Sequence, residues 1–181
     1  MKFPAGPILD PDTGNLLHCE KGVVVFDRDG TLVDDAGQHN DPEQLVLRDG
    51  AVDAIAYVKG LGFGVAIASN QAGLETEKFS LAQLMQFNAQ LKTRLRINGV
   101  DGIDVIAICP HHASSQCQCR KPQTGLFEAI EKSGLGKPVL FVGDTESDRQ
   151  AAIASKIAYL DVAAGNISEI VKNWSQSHEP G

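Results

Sequence analysis

The sequence predicts an α/β fold of three layers, in which a Rossmann-like parallel sheet lies between helices on both of its faces. Short apolar runs rich in β-branched residues, typical of strands buried on both faces, occur at 23–26, 64–68, 103–108 and 139–142. Helical patterns alternate with these runs, which is the order of elements in parallel α/β sheets. Polar, charged or metal-binding residues follow the runs directly, at the strand ends where such sheets bind ligands.

The chain divides into three predicted parts, namely an N-terminal extension at 1–21, a single domain at 22–175 and a C-terminal tail at 176–181. Prolines and a run of turn residues interrupt the extension, so it is predicted to lie at the periphery. Within it, Leu16-Leu17-His18-Cys19 is a possible short edge strand.

Apolar spacing and end signals predict the helices. One helix is predicted from about residue 51, and Ser80 is the expected N-cap of a long helix that ends near Ile97. Pro122 suits the first turn of a third helix, which is predicted to end near Ser133. The remaining predicted elements are a helix that begins at 145–148, a weak strand at 156–160 and a last helix at 165–174.

Composition excludes several classes of protein. The chain has 181 residues, of which 43% are hydrophobic and 22% charged, as in an ordinary globular domain. The net charge of −7 argues against a nucleic-acid partner, because no basic stripe is present to neutralise backbone phosphates. No apolar stretch has the length of a signal sequence core or a membrane span. We therefore expect a cytoplasmic monomer without a membrane partner.

Two carboxylates mark the end of the first apolar run. Asp27 and Asp29 lie two positions apart in a turn that Gly30 relaxes. Like charges held this close resist joint ionisation unless a cation or a shared proton intervenes. An ordinary Asp-Gly turn is the alternative interpretation.

Further polar groups follow two other strands. The second run leads into Ser69-Asn70-Gln71, and the fourth leads into Gly143-Asp144, with Asp148 one helical turn later. The carboxyl ends of parallel strands meet at one edge of a sheet, so we expect these groups to converge with the first pair. For Asp148 two interpretations are equally open: a function next to the metal ligands or in orienting Lys121, and a carboxylate that interacts with the helix dipole.

A cluster of cysteine and histidine follows the third run. Cys109 and His111 precede Cys117 and Cys119 by a few residues, which suits a tetrahedral Zn²⁺ whose four positions are all filled by protein. His112 could replace His111, and a disulfide or unrelated buried thiols are the alternatives. In a reducing compartment, such a cluster of cysteines favours metal binding over disulfide formation.

The sequence D-R-D-G-T-L at 27–32 resembles the first motif of the haloacid dehalogenase superfamily of phosphohydrolases. The strings S-N-Q and G-D-x-x-x-D resemble later motifs of that superfamily. The loop at 109–119, which carries the cysteines and histidines and is called the metal loop below, resembles together with the R-K-P that follows it the branch of histidinol-phosphate and heptose-bisphosphate phosphatases. The resemblance extends from about Val23 to about Ala164. It implies a fold of this superfamily without a large cap domain, with a zinc-binding loop at the substrate rim.

The resemblance implies a role for each residue at the strand ends. Asp27 attacks phosphorus as the nucleophile, and Asp29 is the general acid and base. Ser69 donates a hydrogen bond to the phosphoryl group, and Lys121 stabilises that group and the charge of Asp27.

Ligand and substrate contacts follow from the same resemblance. Mg²⁺ is expected on Asp27, the backbone carbonyl of Asp29 and Asp144. Arg120 recognises the substrate through its planar fork. Backbone N–H groups around Asn70 and Gln71 are expected to hold phosphate oxygens; these three residues complete the predicted substrate-binding set.

A small phosphorylated metabolite is the expected partner, most plainly a sugar (bis)phosphate such as D-glycero-D-manno-heptose 1,7-bisphosphate. Histidinol phosphate or another metabolite is the alternative, as is a catalytically silent zinc-stabilised binding domain. Three positions depart from the branch: Ser69 stands where Thr is usual, the loop at 72–77 is acidic where an Arg is usual, and Thr145 replaces a Lys. The lost cations put recognition of a second phosphate in question.

Overall fold

The computed structural model describes residues 3–12, 18–34, 40–100, 102–162 and 165–177. Within them, six strands form one sheet: β1 Ile8–Pro11, β2 Val23–Phe26, β3 Gly64–Asn70, β4 Val105–Cys109, β5 Pro138–Gly143 and β6 Ala158–Asp161. The α-helices described are α1 Ala51–Gly60, α2 Leu81–Ile97, α3 Gly125–Lys132, α4 Glu146–Ser155 and α5 Ile167–Ser177.

The sheet has the order β1-β4-β3-β2-β5-β6, and the five strands from β4 to β6 run parallel. The first parallel strand, β2, therefore lies in the middle, between β3 and β5. The chain leaves it in one direction towards β3 and β4 and later returns on its other side to β5 and β6. Strand order reverses at β2, so its carboxyl end opens into the crevice that such sheets offer to ligands.

The four residues of β2 are fully buried, as the apolar run predicts. Val24 and Phe26 pack into the core beneath α1, α2 and α5, whereas Val23 and Val25 pack into a second core beneath α3 and α4. Two separate cores on opposite faces of one sheet make three layers. The predicted fold class is thus confirmed.

The N-terminal extension contributes a strand that the sequence analysis did not predict. β1 lies at the edge of the sheet and pairs antiparallel with β4, so the sheet is mixed at this edge. An edge position tolerates Pro11, which cannot donate a backbone hydrogen bond. The proposed edge strand at 16–19 is not seen: Leu16 and Leu17 lie outside the described residues, and the backbone at 18–19 is irregular.

Two predicted boundaries also moved. The third helix begins at Gly125 instead of Pro122, because residues 120–124 form turns in which the Gln123 N–H donates to the Arg120 carbonyl at 2.8 Å. The last helix extends through Ser177, two residues into the predicted tail, and the rest of that tail lies outside the described residues. Among the helices that the structure describes, none has the length and apolar character needed to cross a bilayer.

Helix α2 begins with a capping box that the sequence predicts in part. The Ser80 hydroxyl accepts from the Gln83 N–H at 3.2 Å, and the Gln83 side chain accepts from the Ser80 N–H at 2.8 Å. We expect Ser80→Ala to lower the free energy of unfolding by about 1 kcal/mol, because it leaves a helix N–H unpaired. Urea denaturation measures this. Thr93→Ala is the control, since it removes a hydroxyl from the middle of the same helix, where that hydroxyl donates to the Ala89 carbonyl and caps no helix end. A loss of stability as large as that of Ser80→Ala would contradict the capping assignment.

Candidate active site

The carboxyl ends of three neighbouring strands bring the predicted residues to one place. Phe26, the last residue of β2, pairs with Ile67 of β3 and Val142 of β5. The residues that follow on each strand therefore share one edge of the sheet. Asp27 lies there beside the ends of β3 and β5, where the sequence analysis placed Ser69 and Asp144.

Lys121 reaches this edge from the metal loop. Its ammonium group contacts the Asp27 carboxylate, bonds Asp148 at 2.7 Å and donates to the Ala68 carbonyl at 2.8 Å. The side chains of Lys121, Asp27 and Asp148 are only 3%, 10% and 1% exposed. Asp148 also caps α4, where it accepts from the Thr145 N–H at 3.1 Å. The cap agrees with a carboxylate at the helix start, and the ion pair agrees with a function at the site. Of these two contacts, the ion pair with Lys121 is the more deeply buried.

Burial and charge act against each other in this cluster. Burial raises the pKa of Asp27 to about 7, although the adjacent Lys121 ammonium opposes the shift and Asp148 adds to it. Burial disfavours the charge of Lys121, but the two facing carboxylates outweigh it and raise the pKa of Lys121. Burial and then the charge of Asp148 raise the pKa of Asp144. The site therefore holds more negative charge than its one lysine neutralises.

Asp27, Asp144 and Asp148 each bring a carboxylate oxygen within 4.8 Å of the other two. Gly30 allows this approach for two reasons: its φ is +81°, and a side chain there would collide with the Asp144 carboxylate. Thr31 donates to Asp144 at 3.2 Å and orients it. Carboxylate oxygens are the donors that a divalent cation such as Mg²⁺ prefers. Asp148 already pairs with Lys121 and accepts from the Thr145 N–H, so Asp27 and Asp144 are the two of these carboxylates suited to hold such an ion.

Asp29 faces a different side of the turn from Asp27. Its carboxylate accepts two hydrogen bonds from Arg28, at 3.0 and 2.9 Å, and one from Gln71 at 2.7 Å. The Gln71 amide also lies 2.8 Å from the Ser69 hydroxyl, so it links Ser69 to Asp29. The backbone N–H of Gln71 donates to the Cys109 carbonyl at 2.7 Å, so Gln71 offers the site its side chain and not the backbone donor that was expected.

Asn70 holds the backbone of Lys121. Its amide nitrogen donates to the Lys121 carbonyl at 3.2 Å, and its oxygen accepts from the Lys121 N–H at 3.0 Å. Both hydrogen-bonding groups of the Asn70 side chain are therefore used to position the lysine. This function was not predicted, because it depends on a residue 51 positions away.

A cleft of about 220 Å³ opens beside Asp29. The charged residues that line it are Arg28, Asp29, Asp34, Asp41 and Arg120. Arg120 lies at this rim as predicted, where it donates to the His111 carbonyl at 3.2 Å. Arg28 was missed as a site residue, although a charge between two acids after a buried strand was a signal for it.

The cysteine and histidine cluster is assembled from the last residue of β4 and the loop that follows it. The ligand atoms of Cys109, His111, Cys117 and Cys119 lie 3.3 to 3.6 Å apart in the five pairs measured. Ligands around a tetrahedral Zn²⁺ at about 2.1–2.3 Å lie roughly 3.5–3.8 Å apart, so the donor set and spacing fit zinc. A disulfide would need sulfurs about 2.05 Å apart, and these cysteines are free. His112 lies outside the cluster, with its backbone N–H bonded to Glu75.

The polynucleotide kinase 3 phosphatase family matches residues 22–175 of this chain. The chain belongs to this family, within the haloacid dehalogenase (HAD) superfamily. It is therefore a phosphatase, and its HAD fold agrees with the sequence motifs.

Curated relatives give the branch of this superfamily. The D-glycero-beta-D-manno-heptose-1,7-bisphosphate 7-phosphatase of Pasteurella multocida is 34% identical over 145 residues, which cover 76% of this chain and 78% of the relative. The enzyme of the same name from Pseudomonas putida is 36% identical over 135 residues, covering 73% of this chain and 77% of the relative. The HAD phosphatase thus lies in the heptose-bisphosphate phosphatase branch, as its motifs indicate.

Solved structures of related proteins have the same fold as this chain. D,D-heptose 1.7-bisphosphate phosphatase from B. bronchiseptica, complexed with magnesium and phosphate, has a TM-score of 0.72 and 28% identity, and the match covers 88% of each chain. A HAD-like phosphatase from Mesorhizobium loti has a TM-score of 0.81 over 98% of this chain and 97% of its own. At 22% identity, this second likeness supports the fold alone.

The raised pKa of Asp27 makes stability depend on pH. The folded protein binds the proton of Asp27 up to about pH 7, whereas the unfolded chain releases it near its ordinary pKa of 3.8, so ionisation disfavours the folded state as pH rises between these values. We expect the Mg²⁺-free wild type to lose about 2 kcal/mol relative to Asp27→Asn between about pH 5.5 and 8. Urea denaturation at both pH values measures it. Asp53→Asn, on the exposed start of α1, should show no such difference; a constant offset for Asp27→Asn would contradict the assignment.

Proposed function

We propose that this protein hydrolyses a phosphate monoester of a small sugar with Mg²⁺, through an aspartyl-phosphate formed on Asp27. The observation that carries the proposal is the contact of Asp27 with Lys121 at the end of β2, with Asp144 close by. A carboxylate nucleophile beside a fixed ammonium group and a cation site is suited to attack on a dianionic phosphate.

The proposed reaction has two steps. In the first, an oxygen of Asp27 forms a bond to phosphorus while the ester P–O bond breaks, and Asp29 gives its proton to the departing alkoxide. In the second, Asp29 takes a proton from water, whose oxygen attacks the aspartyl-phosphate and releases inorganic phosphate. Ser69 and Lys121 donate hydrogen bonds to the phosphoryl oxygens. The Gln71 amide donates to both Ser69 and Asp29 and so fixes the position of one relative to the other.

Asp27, Asp144 and the backbone carbonyl of Asp29 would hold the Mg²⁺. Oxygen donors fit this ion, and the excess negative charge of the carboxylate cluster calls for a divalent cation. The ion supplies charge neutralisation for the phosphate and its transition state.

Zn²⁺ has a structural function in this proposal. Cys109, His111, Cys117 and Cys119 would fill its four positions, so no position is left for water. The metal loop runs directly into Arg120 and Lys121, and it is held from the other side by Glu75, which accepts from Ser115 at 2.6 Å. Zinc binding would therefore keep the catalytic lysine in place.

The substrate class rests on the relatives and on the cleft. D-glycero-D-manno-heptose 1,7-bisphosphate is the first candidate, because enzymes that are 34% and 36% identical to this chain over the aligned residues are named for it. The loop at 72–77 and position 145, which depart from the cations usual in this branch, make other contacts here. Glu75 binds the metal loop, and Thr145 caps α4. Sugar monophosphates and histidinol phosphate are thus the next candidates.

Phosphate release across these esters tests the substrate class. With Mg²⁺ present, we would compare the heptose 1,7-bisphosphate, heptose and hexose monophosphates and histidinol phosphate by kcat/KM. A 3′-phosphorylated oligonucleotide is the negative control, since the chain has a net charge of −7. Release from the oligonucleotide alone would contradict the proposed substrate class.

Asp27→Asn should abolish turnover while leaving the fold intact. The amide oxygen is a poor nucleophile, so we expect kcat to fall by at least about 10⁴-fold, as for other essential catalytic groups. Asp53→Asn makes the same change at an exposed site on α1 and should retain wild-type activity. Turnover by Asp27→Asn at a rate near that of the control would remove Asp27 as the nucleophile.

Cys117→Ser should reduce bound zinc from about one ion per chain to nearly none, since structural zinc sites need all four ligands. Elemental analysis of freshly purified protein measures the metal, and the melting temperature should fall with it. Cys19→Ser is the matched control, because this fourth cysteine lies outside the cluster. Equal zinc in wild type and Cys117→Ser would refute the site.

A further inference from the structure

Arg28 is a buried arginine that the proposed reaction leaves without a function. The residue is 3% exposed, and its planar guanidinium forks onto both carboxylate oxygens of Asp29. The two bonds are 3.0 Å from Nε to Oδ1 and 2.9 Å from Nη2 to Oδ2. Two parallel bonds fix the plane of a carboxylate as well as its position, which a single point charge does not.

Two residues of helix α2 also contact the guanidinium. The third nitrogen, Nη1, donates to the Asn88 side-chain oxygen at 3.3 Å, and the guanidinium carbon lies 4.6 Å from the centre of the Phe87 ring. Asn88 is fully buried. It lies on the buried face of α2, together with Leu84 and Leu91.

The contacts continue to the edge strand. The Asn88 amide donates to Asp10 of β1 at 3.1 Å, and Lys92 bonds the other oxygen of Asp10 at 3.1 Å. A continuous polar chain therefore joins β1 through α2 to Asp29. Each member has its hydrogen-bonding partner within this chain, so a shift of Arg28 would leave buried polar groups unpaired.

Asp29 is thereby clamped from two sides. Arg28 holds both of its oxygens, and Gln71 of the β3 end donates to one of them at 2.7 Å. Rotation of the carboxylate would break these bonds. Its orientation is therefore set by Arg28 before any substrate arrives, as proton transfer at a fixed distance requires.

We propose that Arg28 is a positioning residue that holds the Asp29 carboxylate in the orientation needed for proton transfer to the leaving oxygen, with Asn88 as its anchor. This inference rests on the proposed function, in which Asp29 is the general acid. Arg28 touches neither the nucleophile nor the phosphoryl group in this assignment. It acts only through Asp29.

Leaving-group dependence distinguishes positioning from a merely structural function. Phenyl phosphate and p-nitrophenyl phosphate differ by one nitro group, but phenolate is the more basic leaving group and gains more from a proton. We expect Arg28→Lys to lower kcat/KM for phenyl phosphate by about 10-fold or more beyond its effect on p-nitrophenyl phosphate. Lysine keeps the charge and loses the fork. An equal loss on both esters overturns the proposal.

A double-mutant cycle tests whether Arg28 acts through Asp29. Arg28→Lys in the Asp29→Asn background should change kcat/KM for phenyl phosphate by no more than about 2-fold, because the group that it positions is already inactive. Penalties that multiply would assign Arg28 a function of its own and overturn the proposal.

Two further variants guard against effects on folding. Asn88→Ala leaves the Arg28–Asp29 pair intact and should lower kcat/KM selectively for phenyl phosphate, by a smaller factor than Arg28→Lys. If Asn88→Ala affects both esters equally, Asn88 is not the anchor. Arg96→Lys makes the same change in an arginine that pairs with Asp12 at 2.6 Å, and it should leave both esters unaffected. Wild-type protein inert with Mg²⁺ towards both aryl esters and towards the sugar phosphates would overturn the proposed function, and this inference with it.

Discussion

The ion cluster of Lys121 with Asp27 and Asp148 is the interaction on which the candidate site depends. Its three ionisable groups are almost completely buried, and an unpaired charge there would cost several kcal/mol, so each group carries its charge only beside the others. The three residues come from the metal loop, the end of β2 and the start of α4. One set of contacts therefore fixes three separate segments relative to each other, and it leaves negative charge for a cation to neutralise.

The metal loop serves this cluster. Cys119 lies two residues before Lys121, and the Asn70 side-chain amide binds the Lys121 backbone through both its nitrogen and its oxygen. Glu75, from the loop after β3, holds the same segment through Ser115. This segment, whose only described helical part is a short 3-10 turn at Ala113–Ser115, is therefore held at its backbone by Asn70 and at its side by Glu75.

Sequence patterns anticipated much of the site because they report local constraints. The run at β2 predicted a strand with both faces buried, since four consecutive apolar residues leave no face for water. Parallel strand ends share an edge, so the approach of Asp27, Ser69 and Asp144 followed from the order of elements alone. The spacing of the cysteines likewise predicted one compact cluster, because a short loop can bring its own residues together.

The sequence by itself thus determined the fold class, the acids at the carboxyl end of the sheet and the cluster of cysteine and histidine, all of which depend on neighbouring residues. Only the tertiary structure decided that the N-terminal extension supplies β1 and that Asn70 holds Lys121. It also decided that Asn88 joins Asp10 to Arg28, across sequence separations of 78 and 60 positions. Such partners are chosen by the packing of α2 on the sheet, and no local pattern encodes which distant polar groups a helix face will meet.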